Sequence, residues 1–325
     1  MSYKCLLLEV ALCLMLPFCF SGALSAENYP TRPIRIVVPF PAGGNTDSYI
    51  RTLAHNMDAG LGQSLVMDNR GGANGIVGCD IVAKAQPDGY TLLATSFAFV
   101  VNPAMYRSLP YDTAKNFTPI TNYANGLGYI LAVNPSVPVQ NVKELIALAK
   151  KQPLRYASAG IGNGQHLGAV LFSIKAGIEM QHIPYKGGGP ALTAVLSGEV
   201  HINLPAASVA TPHVKGGRLK GLGFTGKSRI SSLPDMPTVA ESGLPGFFYD
   251  TGWHGIFGPA KLPKPITARL LSEVRKALTN PQLRESFIST GYEPAGAPTA
   301  DFEKMFRDDI VRYAQIVQVA NIEKQ

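Results

Sequence analysis

Short β-branched runs alternate with helical hydrophobic patterns over the first third of the chain. Residues 34–38 form a β-branched run, and residues 46–61 follow with apolar side chains at helical spacing. Residues 64–67 and 90–95 repeat the strand pattern on either side of a second helical segment at 76–84. This βαβαβ order predicts a parallel sheet with helices on both faces.

The same alternation restarts near residue 129 and continues to residue 225. The predicted strands lie at 129–133, 154–158, 180–184, 200–204 and 219–225, and the predicted helices between them begin after Asn141 and at 164, 189 and 206. Three more helices are predicted at 265–279, 281–289 and 299–320.

Two sets of strands and helices favour an α/β fold of two lobes with mostly parallel sheets. We expect residues 27–123 and 226–325 to form a first, discontinuous lobe and residues 124–225 to form the second. Proteins of this class bind ligands in the crevice outside the carboxyl ends of their strands.

The N-terminus has the order of a secretory signal peptide. A lysine precedes an apolar run at 5–20, and small residues follow at 21–26. We expect cleavage after Ser25 or Ala26, so that residues 1–26 are removed and the protein is exported. A membrane anchor is disfavoured because the run is short for a span of about 20 apolar residues. Lipidation at Cys19 is an alternative.

Composition and charge exclude several classes of function. The chain has 325 residues, a formal charge of +7 and no basic run with interleaved aromatic residues, so nucleic-acid binding is not expected. Cys79 is the one cysteine outside the predicted signal peptide, and we expect it to be a small buried side chain. The histidines lack metal-ligand spacing, and we expect neither a metal nor a cofactor.

Four glycine-rich junctions join predicted strands to predicted helices, at residues 39–47, 69–78, 156–167 and 183–191. Glycines allow close backbone approach, and helix N-termini attract anions through their unpaired N–H groups. The glycine spacing at 69–78 does not match a dinucleotide-binding fingerprint. The junctions indicate an anion-binding site made by backbone amides, although each is also compatible with an ordinary structural turn.

Several segments together carry a known pattern. They are Tyr-Pro-Thr-Arg-Pro-Ile at 29–34, Pro-Phe-Pro-Ala-Gly-Gly at 39–44, Pro-Asp-Gly-Tyr-Thr-Leu-Leu at 87–93, Leu-Pro-Tyr-Asp at 109–112, Tyr-Ala-Ser-Ala-Gly at 156–160, Pro-Tyr-Lys-Gly at 184–187, Leu-Pro-Asp-Met-Pro-Thr-Val-Ala-Glu at 233–241 and Gly-Ile-Phe-Gly-Pro-Ala at 255–260. With them, the chain resembles the Bug-type periplasmic solute-binding proteins of tripartite tricarboxylate transporters over essentially all of its mature length.

This resemblance implies a two-lobed periplasmic binding protein, type II-like, that closes on a small carboxylate-bearing solute as a Venus flytrap does. It also implies membrane transporter components as partners, with no nucleic acid, no catalytic activity and a monomeric state. The ligand-contacting residues predicted on this basis are Phe40, Ala42, Gly43, Gly44, Asn45, Asp47, Ser96, Ser158, Gly160, Gly162, His166, Tyr185, Ala206 and Trp253.

Three residues depart from the family pattern. Gly71 stands where proline is usual and Asn74 where glycine is frequent, so the loop after Arg70 is expected to differ in shape. His254 is also atypical; it is either a residue that tunes ligand choice or a packed histidine near the hinge.

Two other functions remain open from the sequence alone. One is an exported α/β hydrolase that uses Ser158 and His166, which lack the Gly-x-Ser-x-Gly spacing of that class. The other is a ligand-sensing protein with a signalling partner.

Overall fold

The computed structural model describes residues 29–319 and 322–325, which form two mixed sheets flanked by helices. The strands are β1 (Ile34–Val38), β2 (Leu65–Asn69), β3 (Thr91–Ser96), β4 (Phe117–Gly126), β5 (Ile130–Val133), β6 (Leu154–Ser158), β7 (Met180–Pro184), β8 (Ile202–Asn203), β9 (Lys220–Phe224), β10 (Trp253–Pro259) and β11 (Tyr292–Pro294). The helices are α1 (Asn45–Leu61), α2 (Ile76–Ala83), α3 (Ala98–Met105), α4 (Val142–Ala149), α5 (Gly164–Ala176), α6 (Gly188–Leu196), α7 (Ala207–Lys215), α8 (Lys264–Ala277), α9 (Pro281–Ser289) and α10 (Thr299–Val319). The predicted signal peptide at 1–26 lies outside the described residues.

Apart from the edge strand β11, the two sheets repeat one strand arrangement. The first has the order β11-β4-β10-β3-β1-β2, and the second has the order β7-β6-β8-β5-β9. In the first sheet β1 pairs in parallel with β2 and β3, and β10 runs antiparallel between β3 and β4. In the second sheet β6 pairs in parallel with β7 and β8, and β5 runs antiparallel between β8 and β9.

The sheets are therefore mixed rather than mostly parallel in their pairings. Two of the antiparallel strands, β5 and β10, each follow a crossing of the chain from one sheet to the other. Because the chain crosses at the edge where the carboxyl ends of the parallel strands lie, it enters the new sheet from that edge and runs in the opposite direction.

The segment between β9 and β10 returns to the second sheet. The Val239 N–H donates to the Phe224 carbonyl oxygen at 2.8 Å, and the Tyr249 N–H donates to the Thr225 carbonyl oxygen at 2.9 Å. These bonds pack residues 226–249 with the second sheet, whereas the sequence pattern placed the lobe boundary at residue 226. The sequence hid this because the segment is irregular and has no strand or helix periodicity. Likewise, residues 124–126 continue β4 of the first sheet.

The sequence pattern predicted no strand at β4, β10 or β11 and no helix at α3. β10 contains two glycines, and a Cβ at Gly258 would come within 2.6 Å of Leu262, so glycine is needed for close packing there. α3 contains Pro103, which lacks the N–H donor of a regular helix interior. Both features weaken the periodicity by which strands and helices are recognised.

The expected helical faces are buried. In α1, Ile50, Leu53 and Met57 are at most 2% exposed, and Gly62 ends the helix in the left-handed conformation that glycine adopts readily. Cys79 is 1% exposed, and burial raises the pKa of its thiol to about 12, which suits a packed side chain rather than a nucleophile.

Candidate ligand-binding site

A cavity of about 580 Å³ lies between the two sheets, at the carboxyl ends of their parallel strands. Elements of the first sheet contribute Phe40, Gly44, Asn45, Thr46, Asn74, Ser96, Phe97, Ala98, Thr251, His254 and Tyr292 to its lining. Elements of the second contribute Tyr129, Ala159, Asn163, Gly164, Gln165, Gly188, Gly189, Leu192, Ala206, Ser208 and Val209. The position is the one at which α/β proteins bind ligands.

Five helices begin at the wall of this cavity. Residues of their first turns line it: Asn45 of α1, Ala98 of α3, Gly164 of α5, Gly188 of α6 and Ser208 of α7. The first N–H groups of a helix have no partner within the helix, and its N-terminus carries about half a positive charge. Helix N-termini from both sides thus make the cavity favourable for an anion.

A side chain caps only α5 among these five helices. There, the Asn163 Oδ1 accepts a hydrogen bond of 3.0 Å from the His166 N–H. The helices α1, α3, α6 and α7 have no side-chain cap. Serine, threonine, aspartate or asparagine usually supplies this cap in proteins. The uncapped N–H groups remain available to a bound molecule.

The described residues that line the cavity include no aspartate, glutamate, lysine or arginine. Its titratable side chains are Tyr129, His254 and Tyr292. Burial raises the pKa of both tyrosines and lowers the pKa of His254 to about 3, so all three are neutral at pH 7. An anion in the cavity would therefore meet hydrogen-bond donors and helix dipoles without a competing negative side chain.

Two polar side-chain atoms of the lining are buried without a partner among the described residues. They are the Asn163 Nδ2 and the Thr251 Oγ1. An unpartnered buried polar group costs about 1–3 kcal/mol. A ligand or water that bonds these two atoms would remove that cost.

Asp47 does not line the cavity; its side chain stabilises the loop at 39–44. Its carboxylate accepts hydrogen bonds of 2.9 Å from the Gly43 N–H, the Arg51 Nε and the Asn69 Nδ2. Burial alone would raise the pKa of Asp47, but these hydrogen bonds lower the pKa below its usual value. The ionised carboxylate therefore holds the loop that precedes the uncapped N-terminus of α1.

Ser158 and His166 stabilise the loop at 159–163. Ser158 is fully buried, and its Oγ lies 2.7 Å from the His182 Nε2, whereas the His166 Nδ1 accepts a 3.0 Å hydrogen bond from the Gly162 N–H. The two imidazole rings stack with their centroids 4.0 Å apart. Burial lowers the pKa of each histidine to about 4, so both are neutral at pH 7. The structure pairs Ser158 with His182 and not with His166.

Five of the residues predicted to contact ligand line the cavity. They are Phe40, Gly44, Asn45, Ser96 and Ala206. They come from both sides of the cavity: Phe40 and Gly44 lie in the loop after β1, Asn45 begins α1, Ser96 ends β3 and Ala206 precedes α7.

The other predicted contacts lie outside the lining. They are Ala42, Gly43, Asp47, Ser158, Gly160, Gly162, His166, Tyr185 and Trp253.

These residues shape loops, face solvent or bond to other parts of the protein. The three glycines take positive φ angles and shape their loops, and Ala42 is exposed. Tyr185 donates from its hydroxyl to the Glu199 Oε1 at 2.8 Å. Trp253 is 2% exposed and donates from its Nε1 to the Asp309 Oδ2 at 2.8 Å.

Several lining residues were missed from the sequence. They are Thr46, Asn74, Tyr129, Asn163, Gln165, Ser208, Thr251 and Tyr292. Asn163 and Gln165 lie within a junction that was singled out, where a polar residue beside a helix start is a usable signal. Tyr292 lies in β11 far along the chain, and only the fold brings it to the cavity.

Asn74 lies in the loop whose sequence departs from the family pattern. Its φ of 51° and ψ of 35° fall in the left-handed region, which asparagine tolerates better than most residues. Its Nδ2 donates to the Asn102 Oδ1 at 2.8 Å, which ties this loop to α3. The side-chain amide of this lining residue is thus held in place by α3.

The described residues contain no cluster of histidine, cysteine, aspartate and glutamate that could hold a metal ion. Within the same part of the chain, none of the helices combines the length and the apolarity needed to cross a membrane.

Comparison with protein families gives a match over residues 49–322 to the tripartite tricarboxylate transporter family receptor. A protein encoded in the tcbD-tcbE intergenic region of Pseudomonas sp. strain P51 is 35% identical over 90% of this chain and 87% of its own length. Protein BugT of Bordetella pertussis is 33% identical over 92% of each chain.

Solved structures resemble the chain over most of its length. Rpa4515 of R. palustris, solved with adipate, superposes with a TM-score of 0.81 at 32% identity and covers 91% of this chain and 100% of its own. The periplasmic binding protein BugD superposes with a TM-score of 0.79 at 33% identity, over 91% and 100% of the two chains. MatC of Rhodopseudomonas palustris, with bound malate, gives 0.76 at 28% identity over 89% and 100%.

Proposed function

Because the chain belongs to the tripartite tricarboxylate transporter receptor family, we propose that it captures a small dicarboxylic acid in the cavity between its two sheets. Members of this family are solute-binding receptors of transporters and not enzymes, and the Bug-type resemblance stated from the sequence is confirmed. This chain is accordingly a solute-binding protein of that family.

The uncapped helix N-termini around a cavity without charged side chains support a dicarboxylate most strongly. α1 and α3 approach from the first sheet, whereas α6 and α7 approach from the second. A carboxylate at each end of the ligand would accept hydrogen bonds from one of these two groups. Adipate and malate, which are bound to two similar proteins, have two carboxylates each.

Between the N-termini of α1 and α3 on one side and those of α6 and α7 on the other, the cavity walls are largely apolar. Phe40 and Phe97 line the cavity on one side, and Leu192 and Val209 line it on the other. Such walls suit the hydrocarbon part of a short acid. We propose that the two lobes close around it, with residues 29–126, 250–319 and 322–325 in one lobe and residues 127–249 in the other.

Membership of the family supports export of this chain and transfer of its ligand to a transporter. Family members are periplasmic binding proteins that work with the membrane components of a transporter. We propose that this chain is exported with cleavage after Ser25 or Ala26 and delivers its ligand, as a monomer, to such components. The mass of the protein purified from a periplasmic fraction tests the cleavage; a mass that retains residues 1–26 would contradict it.

The binding proposal is tested by melting mature protein, unfolded and refolded to remove bound ligand, against mono-, di- and tricarboxylates. A ligand at about 100 times its Kd adds about 2.7 kcal/mol to the free energy of unfolding. We expect dicarboxylates to raise the melting temperature by several degrees. A well-folded sample that responds to none of the acids would contradict the proposal. Ester hydrolysis that is lost in Ser158→Ala would favour the hydrolase alternative instead.

A further inference from the structure

His254 occupies an unusual position on β10. It lies opposite Ser96 of β3, is 4% exposed and lines the cavity. The rings of Tyr49, Tyr123 and Tyr292 surround it, with centroids 5.2, 6.0 and 5.1 Å from its own. An imidazole that only fills space would have both nitrogens satisfied by the protein.

Only one of its nitrogens has a partner among the described residues. The His254 Nδ1 lies 3.2 Å from the Thr46 Oγ1, and the Nε2 makes no hydrogen bond to them. The Thr46 hydroxyl has no other partner in the same part of the chain, so the arrangement that satisfies it has its hydrogen directed to Nδ1. The ring hydrogen then sits on Nε2, which is left as a donor.

The surroundings of His254 keep the imidazole neutral. The groups that contact it are Thr46 from α1 and tyrosines from α1, β4 and β11, and none of them is charged at pH 7. Asp47, next to Thr46, directs its carboxylate to Gly43, Arg51 and Asn69. Burial lowers the pKa of His254 to about 3.

We propose that His254 is a ligand-contacting residue whose Nε2–H donates a hydrogen bond to an oxygen of the bound acid, and that Thr46 sets the tautomer that makes this possible. The proposal rests on the proposed function and adds to it a side-chain donor on the first-sheet side of the cavity. Since the imidazole is neutral, it acts as a donor and not as a counter-ion. The affinity it contributes is then the same at pH 5.5 and pH 8.

The test is a calorimetric titration of adipate, or of the panel acid that binds the wild type, into four proteins: wild type, His254→Phe, Thr46→Val and the double variant. Phenylalanine keeps the buried ring and removes the donor, so Kd should rise about tenfold to hundredfold. Thr46→Val should give a smaller rise. The double variant should bind no more weakly than His254→Phe, because both substitutions act through one hydrogen bond.

Tyr49→Phe is the matched control. It keeps the ring against His254 and removes only a hydroxyl that donates to the Thr290 Oγ1 at 2.8 Å, so its Kd should equal that of the wild type. A wild-type Kd in His254→Phe would overturn the proposal and leave carboxylate binding intact. A wild type that binds no acid of the panel would remove both proposals.

Nitrogen-15 NMR of histidine-labelled wild type gives a second readout if His254→Phe does not fold. We expect the hydrogen on Nε2 in the ligand-free protein and a shift of that N–H signal when adipate is added. A hydrogen on Nδ1, or an Nε2 signal that adipate does not move, would overturn the proposal. A Kd that falls steadily as pH drops from 8 to 5.5 would indicate an imidazolium and would also contradict it.

Discussion

Gly164→Ala places a methyl group at a crowded point of the cavity wall. The new Cβ would collide with the Tyr129 hydroxyl and lie 2.9 Å from the Phe97 Cζ. Neither ring can easily retreat, because Tyr129 stacks on Tyr249 with centroids 6.0 Å apart and Phe97 packs on Tyr313 at 5.5 Å. Overpacking of this kind costs about 1–3 kcal/mol. We expect the free energy of unfolding of ligand-free protein to fall by that amount, seen as a lower urea midpoint at an unchanged slope.

Gly189→Ala is the matched control for this prediction. Gly189 also lies in the first turn of a helix at the cavity, but a Cβ there has nothing within 4 Å. Its free energy of unfolding should stay within about 0.5 kcal/mol of the wild type. If Gly164→Ala unfolds at the wild-type urea concentration, or if both variants lose the same stability, the packing described around Gly164 is refuted.

Three further changes probe the residues that support the site. Asp47→Ala should lower the free energy of unfolding by about 1–3 kcal/mol and weaken acid binding, because its hydrogen-bond donors lose their acceptor; an unchanged urea midpoint would contradict this. His166 and His182 have native pKa values of about 4 against an ordinary value of 6.5, so the stability they contribute is complete above pH 6.5 and is lost as pH falls toward 4. A melting temperature that stays constant from pH 7.5 to pH 4.5 would contradict the claim that the two histidines are buried in their neutral form. Asp309→Ala leaves the Trp253 Nε1–H without its acceptor and should cost about 1–3 kcal/mol, whereas Asp309→Asn keeps an acceptor and should cost less. Trp253 is the one tryptophan of the chain, so its fluorescence reports unfolding in both variants, and equal losses would refute the role of this bond.

The regular parts of the fold were predictable from local pattern. α1 has buried side chains at helical spacing and a glycine after its last turn, and β1 is a β-branched run, so both follow from neighbouring residues alone. β10 could not be predicted in this way. Its glycines weaken the strand pattern, and the reason for them is the close packing of residues such as Leu262, which only the fold brings there. The return of residues 226–249 to the second sheet was hidden for a similar reason, since it depends on backbone bonds to Phe224 and Thr225.

The cavity was predictable in its location more than in its residues. Glycine-rich junctions between strands and helices identified Gly44 and Asn45, since these features are local. Ser158 and Asp47 have the polar chemistry of ligand-binding residues, but their partners, His182 and Asn69, turn them into supports of the loops. Which of two roles a polar residue takes depends on the three-dimensional neighbours that satisfy it.

The most direct test of the central claim compares three ligands of equal chain length by calorimetry: adipate, hexane-1,6-diol and hexane-1,6-diamine. The cavity offers helix N-termini and neutral donors, and the described residues of its lining include no carboxylate. We expect mature, refolded protein to bind adipate and to give no measurable heat of binding with either the diol or the diamine. Binding of the diamine as tight as that of adipate would contradict it.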